Sequence, residues 1–276
     1  MNEQAVLSPV VITIVTTLFP QYDFARAVAG DKANVVLLLP PGVESHEYEP
    51  APADIKRLRE ADVFVYTSDQ MEPWARSLAR SSGSRSVVVD ASTHIMGGMA
   101  GEFVDPHIWT NPLYAKTMVD NIAAGLCEAD PMNTDFYRER ADEYKFQLDQ
   151  LDEELRQIVD AGSRRTLVLG GRNAFVNLAG HYGLTIYAAY DSCAEETEPH
   201  PQNIARIIEM VKAENLPVIY YEELVDARVA RTIGETTGKP LLMLHSCHNV
   251  SRDELADASF LSLMRQNAAN IAKGLE

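Results

Sequence analysis

Residues 131–162 read PMNTDFYRERADEYKFQLDQLDEELRQIVDAG, and this stretch decides the architecture of the chain. Its apolar residues recur at steps of mostly three and four, and charged residues fill much of the remaining surface. That spacing predicts one long amphipathic helix, about 40 Å in length at 1.5 Å per residue. Neither proline nor glycine interrupts the stretch between Pro131 and Gly162, so we expect the helix to be stiff.

Short apolar runs, many of them rich in β-branched residues, lie on both sides of this helix, and each predicts a buried strand. They are residues 10–15, 33–39, 63–66 and 87–89 before the helix, and residues 166–169, 184–189, 218–221 and 241–244 after it. Segments with helical spacing alternate with them, among them residues 53–61, 204–215, 228–237 and 260–275.

This alternation predicts an α/β fold in which two lobes with mainly parallel sheets are joined by the one long rigid helix. The predicted units are an N-terminal lobe at residues 1–130, the linking helix at 131–162 and a C-terminal lobe at 163–276. We expect the ligand site in the cleft between the lobes, and only a small closing motion, because a long helix resists a wide hinge.

The 276-residue chain carries 40 acidic and 24 basic residues, a formal net charge of −16 at pH 7. This charge argues against a nucleic-acid partner, because phosphate contacts need a basic surface. No apolar run reaches the roughly 18–20 residues of a membrane-spanning helix. An acidic surface suits a protein that collects cations, although solubility alone accounts for most acidic surfaces.

Three of the seven histidines lie in loops at strand exits or helix entries, where open α/β sheets bind ligands. His46 follows the second predicted strand, within PGVESHEYEP at 41–50. His107 lies in DPHIWTNP at 105–112, just before a helix that Asn111 is predicted to cap. His245 directly follows the strand at 241–244. Imidazole is a favoured ligand of zinc, so these three positions are candidate metal ligands.

The segments GVESHEYEP (42–50) and DPHIWTNP (105–112) resemble two hallmark motifs of the metal-binding substrate-binding proteins of bacterial ABC transporters, in their zinc- and manganese-specific cluster. The resemblance covers nearly the whole chain, since further short motifs follow in family order: Glu72-Pro-Trp74, Tyr182-Gly-Leu184, Glu198-Pro199 and Met264-Arg-Gln-Asn267. It implies an extracytoplasmic protein, periplasmic or a cell-surface lipoprotein, that delivers a divalent metal ion to a membrane permease. Residues 1–9 lack the regions of an export signal, which we expect to have been removed from this sequence.

The resemblance also implies four metal ligands, of which His46 and His107 match by motif. The third family position, usually His or Glu before Ala-Phe, holds Arg172, which has no lone pair to offer a cation. The fourth position, usually an Asp after the strand that here ends at Leu244, holds His245. We therefore predict a site of His46, His107 and His245, completed by a water molecule or a nearby carboxylate.

Other ligand sets stay open on the sequence alone. A sulfur or a second histidine from Cys193, Cys247 or His248 would complete the shell in a different way. Arg172 would alternatively mark a site remodelled for an anion or a metal-bound anion, or the metal site would be lost.

Structural roles are predicted for several residues near the cleft. Arg172 would pair with a carboxylate such as Glu47 or Glu195 and lock the lobes together. Cys193 and Cys247 lie in loops that emerge at the same sheet edge, so they would form a disulfide outside the cytoplasm or stay two separate thiols. The third cysteine, on the apolar side of a predicted helix, is expected to be a core residue.

The predicted function is therefore capture of a divalent transition metal, zinc first, for the permease of an ABC importer, with no catalysis. A manganese receptor is the alternative within the family. A zinc hydrolase is the rival from another class, but no obvious base accompanies the histidines. A secondary role in cell adhesion is compatible with a surface location, and we expect a monomer that binds no nucleic acid.

Overall fold

Within residues 11–45, 48–81, 85–95, 105–190 and 199–276, which the computed structural model describes, two four-stranded parallel sheets organise the chain. The first sheet has the strand order β2-β1-β3-β4. Its elements are β1 (Ile12–Thr16), α1 (Phe19–Ala29), β2 (Ala33–Leu37), α2 (Pro52–Glu60), β3 (Val63–Tyr66), α3 (Ala75–Ser81) and β4 (Val87–Asp90). A 3₁₀ turn at Ile108–Thr110 and helix α4 (Pro112–Ala129) follow, and we call this part the N-terminal lobe.

The second sheet repeats the arrangement with the order β6-β5-β7-β8, and we call its part of the chain the C-terminal lobe. Its elements are β5 (Thr166–Leu169), α6 (Val176–Tyr182), β6 (Thr185–Ala188), α7 (Pro201–Ala213), β7 (Ile219–Tyr221), α8 (Arg228–Thr237), β8 (Leu241–Met243) and α9 (Phe260–Leu275). The predicted α/β architecture with two parallel sheets is confirmed.

The long helix α5 spans Thr134–Ala161, with 28 residues and a length of about 42 Å. A 3₁₀ turn at Pro131–Asn133 precedes it, so the α-helix begins three residues later than the sequence predicts. Its buried face consists of Tyr137, Ala141, Tyr144, Leu148, Leu151, Leu155 and Val159. This face packs on α4, α9 and α1, which places the helix along both lobes.

The two lobes share one continuous apolar core, which runs from the first sheet through α4, α5 and α9 to the second sheet. A buried carboxylate joins three helices inside it: Asp23 Oδ2 on α1 accepts hydrogen bonds from Tyr144 Oη on α5 at 2.9 Å and from the backbone N–H of Phe260 on α9 at 2.9 Å. The lobe boundaries at 130 and 162 stay a prediction, since this core crosses both of them. Among the described residues, no helix has the length and apolarity needed to cross a membrane.

Candidate metal centre

The carboxyl ends of the strands of the second sheet bring several charged and polar residues to one edge, where it faces the N-terminal lobe. Arg172 follows β5, Glu222 and Glu223 follow β7, and the segment 245–250 follows β8. Together with Val43, Glu44 and Ser45 of the N-terminal lobe, residues from these loops line a cavity of about 20 Å³. That volume is enough for about one water molecule.

His46, the first predicted ligand, lies outside the described residues. Ser45, the residue directly before it, is described and lines the cavity. The structure therefore brings the chain to the cavity at the residue before His46.

His107 is fully buried and its ring is oriented by a carboxylate. Its Nδ1 lies 2.7 Å from Asp105 Oδ1, and its backbone N–H donates to the same oxygen at 3.0 Å. Because an ionised carboxylate only accepts hydrogen bonds, the ring proton sits on Nδ1 and the lone pair on Nε2. Asn177 on α6 donates to the Asp105 carbonyl at 3.0 Å and so ties this loop to the C-terminal lobe. A carboxylate behind a histidine is the usual support of a zinc ligand.

His248 packs directly against His107, with 4.7 Å between the ring centroids and the ring planes almost perpendicular. Its Nδ1 lies 2.6 Å from Ser246 Oγ, and Ser246 Oγ donates to Glu223 Oε1 at 2.5 Å. His248 lines the cavity and is 8% exposed. His248 thus places a second buried imidazole beside that of His107, the histidine of the motif at 105–112.

His245, the third predicted ligand, is also buried but is held differently. Its Nδ1 accepts a hydrogen bond from the backbone N–H of Cys247 at 3.0 Å. A neutral imidazole that accepts at Nδ1 carries its proton on Nε2, so Nε2 has no lone pair for a metal in this arrangement. The side chain of Asn267 bonds to the backbone N–H and carbonyl of His245 and fixes its position. A ligand role for His245 stays a prediction, and the hydrogen bonding favours His248.

Arg172 lies across the cleft from an acidic residue of the N-terminal lobe, with 3.8 Å between Arg172 Nη1 and Glu44 Oε1. The predicted partners Glu47 and Glu195 lie outside the described residues. Burial raises the pKa of Glu222 well above its usual range; the charge of Glu223 adds to this and that of Arg172 opposes it. One guanidinium therefore sits among three carboxyl groups.

Five hydrogen bonds join the segment 246–250 to the N-terminal lobe. The carbonyls of Ser246, His248 and Val250 accept from Trp109 Nε1 (2.8 Å), Phe19 N (3.0 Å) and Gly42 N (2.8 Å), respectively. Asn249 Nδ2 donates to the carbonyls of Pro40 and Val43 at 2.7 and 2.9 Å. The cleft is consequently closed on this side by hydrogen bonds and not by side-chain packing alone.

The cysteines contribute no ligand that the described residues reveal. Cys247 is a free, fully buried thiol, and burial raises its pKa well above the usual range. Cys193 lies outside the described residues. Cys127 is a half-buried free thiol against the main core, in line with its predicted structural role. Among the residues that the structure describes, there is no group of three or more His, Cys, Asp or Glu side chains that could hold a metal ion.

A protein-family profile described as "Zinc-uptake complex component A periplasmic" matches residues 14–274, nearly the whole chain. The chain belongs to the ZnuA family. Among curated ZnuA relatives, the high-affinity zinc uptake system protein ZnuA of Bacillus subtilis (strain 168) is 32% identical over 271 residues, which are 92% of this chain and 84% of that protein. The zinc-binding lipoprotein AdcA of Streptococcus pneumoniae (strain R6) is 29% identical over 93% of this chain, and the match spans 54% of AdcA.

Solved structures of ZnuA-like proteins have the same fold. The metal-dependent lipoprotein YcdH of B. subtilis superposes with a TM-score of 0.84 at 32% identity, covering 96% of this chain and 99% of that one. The Zn(II)-bound ZnuA-like domain of S. pneumoniae AdcA gives a TM-score of 0.83 at 29% identity, with coverages of 96% and 99%. The laminin-binding protein Lmb of Streptococcus agalactiae, described as bifunctional with adhesin and metal transporting activity, gives 0.85 at 29% identity, with coverages of 96% and 100%.

Sequence reasoning did not assign roles to several residues around this candidate site. The spacing Asp105-x-His107 is a signal for the carboxylate behind His107, and the pair Glu222-Glu223 directly after a strand is a signal for acidic residues at the sheet edge. No sequence signal identifies Ser246 as the link between Glu223 and His248, because the two loops that carry Glu223 and Ser246 meet only when β7 pairs with β8.

Proposed function

We propose that this chain captures zinc outside the cytoplasm and delivers it to the membrane permease of an ABC importer. The observation that carries the proposal is the contact between His107 and His248, two buried imidazoles from different lobes. Their ring centroids lie 4.7 Å apart. Membership of the ZnuA family and the zinc-named relatives support the same function.

The proposed ligands are His107, His248 and His46, with a water molecule or a carboxylate in the fourth position. His107 and His248 each have a polar group at Nδ1, so Nε2 is the ring nitrogen that we propose as the metal ligand in both. His46 is carried over from its motif, and the neighbouring Ser45 lines the cavity. A site rich in imidazole suits zinc better than manganese, which prefers oxygen ligands.

Arg172 supports capture of a cation and argues against an anion site. It lies among Glu44, Glu222 and Glu223, so the cleft around it is acidic and not basic. We propose that Arg172 holds the two lobes together through Glu44 and takes no part in the metal shell.

The hydrolase alternative finds little support. A cavity of about 20 Å³ has no room for an organic substrate, whose pocket measures about 300–1,000 Å³. Glu223 accepts two hydrogen bonds from Ser246, and its Oε1 lies 3.4 Å from His245 Nδ1, so this carboxylate is already engaged. We therefore propose binding without catalysis, by a monomer that has no nucleic-acid partner.

An adhesive role is a second candidate function. Its support is the likeness to Lmb, described as both an adhesin and a metal transporter, at 29% identity over 96% of this chain. Binding of immobilised laminin by the purified protein, with and without zinc, tests it. Absence of binding in both states would remove this candidate.

Zinc titration against a competing chelator tests the main function. The His46→Ala and His107→Ala variants are expected to lose high-affinity zinc binding while their circular dichroism spectra stay unchanged. His200→Ala is the matched control, because His200 is exposed and makes no side-chain capping bond at the start of α7. Wild-type zinc affinity in either of the first two variants contradicts the ligand assignment.

A further inference from the structure

We propose that Glu223 is a positioning residue that fixes the tautomer of His248 through the hydroxyl of Ser246 and thereby sets the zinc affinity. The proposal rests on the proposed function, in which His248 binds zinc through Nε2. It adds a residue that touches no metal and acts two hydrogen bonds away from it.

Glu223 accepts two hydrogen bonds from one residue. Its Oε2 accepts the backbone N–H of Ser246 at 2.7 Å, and its Oε1 accepts the Ser246 hydroxyl at 2.5 Å. The Glu223 side chain is 8% exposed, so solvent cannot readily replace these donors. A carboxylate is the side-chain group that provides two acceptors in this geometry, since an amide offers one acceptor and one donor.

The count of hydrogens then determines the state of His248. The Ser246 hydroxyl has a single hydrogen, and Glu223 takes it. The contact of 2.6 Å between Ser246 Oγ and His248 Nδ1 therefore needs a proton on Nδ1. A neutral imidazole protonated at Nδ1 keeps its lone pair on Nε2, which is the atom that a zinc ligand must offer.

A carboxylate fixes the same Nδ1–H tautomer at His107, but without an intervening hydroxyl group. Asp105 Oδ1 contacts His107 Nδ1 directly at 2.7 Å, whereas at His248 the carboxylate acts through one hydroxyl group. Two neighbouring imidazoles from different lobes thus have their Nδ1 atoms tied to carboxylates. This repetition is independent support for a role of Glu223 in orienting a ligand.

Glu223 Oε2 accepts the backbone N–H of Ser246, and a glutamine carbonyl oxygen can still accept it. The rest of the backbone around Ser246 and His248 is held by contacts that Glu223 does not make, so a change to glutamine should act on the ring and not on the loop. Trp109 Nε1 donates to the Ser246 carbonyl, and Phe19 N–H donates to the His248 carbonyl. Both donors belong to the N-terminal lobe and neither involves Glu223.

Glu223→Gln is the decisive variant. A glutamine amide cannot accept both hydrogens of Ser246, and when its NH₂ group faces Oγ the hydroxyl turns to donate to His248 Nδ1. The His248 proton then moves to Nε2. In metal-free protein with ¹⁵N-labelled histidine, two-bond ¹⁵N–¹H correlation spectra report this tautomer directly. We expect Nδ1–H in the wild type and a shift to Nε2–H in Glu223→Gln, with zinc affinity about 10- to 100-fold lower.

The same spectra contain an internal control, because His107 is expected to stay protonated at Nδ1 in Glu223→Gln. Glu235→Gln, at an exposed position on α8, controls for loss of one carboxylate and should leave zinc affinity and both tautomers unchanged. Should Glu223→Gln fail to fold, Ser246→Ala provides the test, because it removes the hydroxyl that links Glu223 to His248. We then expect the His248 ring to be no longer held in the Nδ1–H tautomer, and zinc binding to weaken.

The outcomes separate the two levels of the argument. Unchanged zinc affinity in His248→Ala overturns the ligand assignment within the proposed function. Reduced affinity in His248→Ala, together with an unchanged His248 tautomer in folded Glu223→Gln or in Ser246→Ala, overturns the role of Glu223 and leaves the proposed function in place.

Discussion

The indole Nε1 of Trp109 donates a 2.8 Å hydrogen bond to the carbonyl oxygen of Ser246, 137 residues later in the chain. Trp109 lies two residues after His107, and Ser246 lies two residues before His248. The Trp109 ring also packs against the His248 ring, with 5.1 Å between centroids. One side chain therefore joins the two loops that carry the candidate ligands.

Trp109→Phe should weaken both the fold and the site, because it removes the indole N–H and leaves a buried carbonyl without this donor. We expect the free energy of unfolding of the metal-free protein to fall by about 1–3 kcal/mol, as measured by urea denaturation. Zinc affinity should fall as well. Trp74→Phe, at a half-buried ring beside Tyr48, is the control; an equal effect there would argue against a specific role of Trp109.

His248→Ala and His245→Ala should differ in kind. The first should lower zinc affinity by more than about 100-fold, which is more than the loss expected when a residue that only supports a metal ligand is replaced. The second should cost about 1–3 kcal/mol of stability, since the Cys247 N–H loses its acceptor, and should change zinc affinity little. Chelator competition and urea denaturation of both variants measure this. The reverse order of zinc affinities would restore His245 as the ligand.

Zinc should raise the melting temperature more than manganese does. A ligand that binds only the folded state adds about 4.1 kcal/mol at 1,000 times its Kd, which corresponds to roughly 8–16 °C for a domain of this size. Differential scanning calorimetry with each metal at equal concentration measures the shift, and His107→Ala should abolish the zinc effect. A manganese shift as large as that of zinc would indicate oxygen ligands in the shell.

Arg172→His distinguishes two roles for this position: a former metal-ligand position, or one half of an ion pair between the lobes. We expect lower stability of the metal-free protein, because the contact of 3.8 Å between Arg172 Nη1 and Glu44 Oε1 is lost, with zinc affinity lower or unchanged. Glu44→Gln and the double variant complete a cycle that isolates the pair. Tighter zinc binding at unchanged metal-free stability would show instead that the position still reaches the metal.

Asp152→Asn should reveal a pH-dependent contact between α5 and α6. Burial raises the pKa of Asp152, but hydrogen bonds from Tyr182, His181 and Arg156 outweigh it and hold the pKa below 3.8. A carboxyl group with a lowered folded pKa adds stability above its unfolded pKa, and this stability is lost as the pH falls through the folded value. We expect a loss of about 1–3 kcal/mol at pH 7 that shrinks towards pH 3.

Urea denaturation at both pH values measures this dependence. Asp142→Asn is the control on the same helix, because Asp142 is 75% exposed and its ion pair with Lys145 is worth little. A pH-independent loss in Asp152→Asn would mean that the carboxylate charge is not what matters.

Periodicity and capping allow most of the fold to be predicted from the sequence. The sequence pattern of α4 is clear because Asn111 accepts the N–H of Leu113 as a side-chain cap, and Arg228–Thr237 is predicted to the residue. A capping bond is not required for this, since the N-cap of α8, Ala227, makes none. The N-caps of α1 and α6, Leu18 and Phe175, make none either, and these two helices are not among the segments predicted from periodicity.

The site is predicted less completely than the fold, for a physical reason. Motifs place His107 and the segment 245–248 at the cleft, but the choice between His245 and His248 depends on hydrogen-bond direction. Cys247 N–H contacts one ring and Ser246 Oγ the other, and the direction of the second bond depends on Glu223, which reaches Ser246 only once β7 and β8 lie side by side.

The carboxylate of Asp23 has a consequence for the order of folding. It belongs to α1, yet one of its two donors is the backbone of Phe260, 237 residues away. Synthesis proceeds from the N-terminus, so the segment that contains α1 exists without that donor until α9 has been made. Closing so long a loop is slow, so the N-terminal lobe should stay loosely packed and complete its core only when α9 arrives.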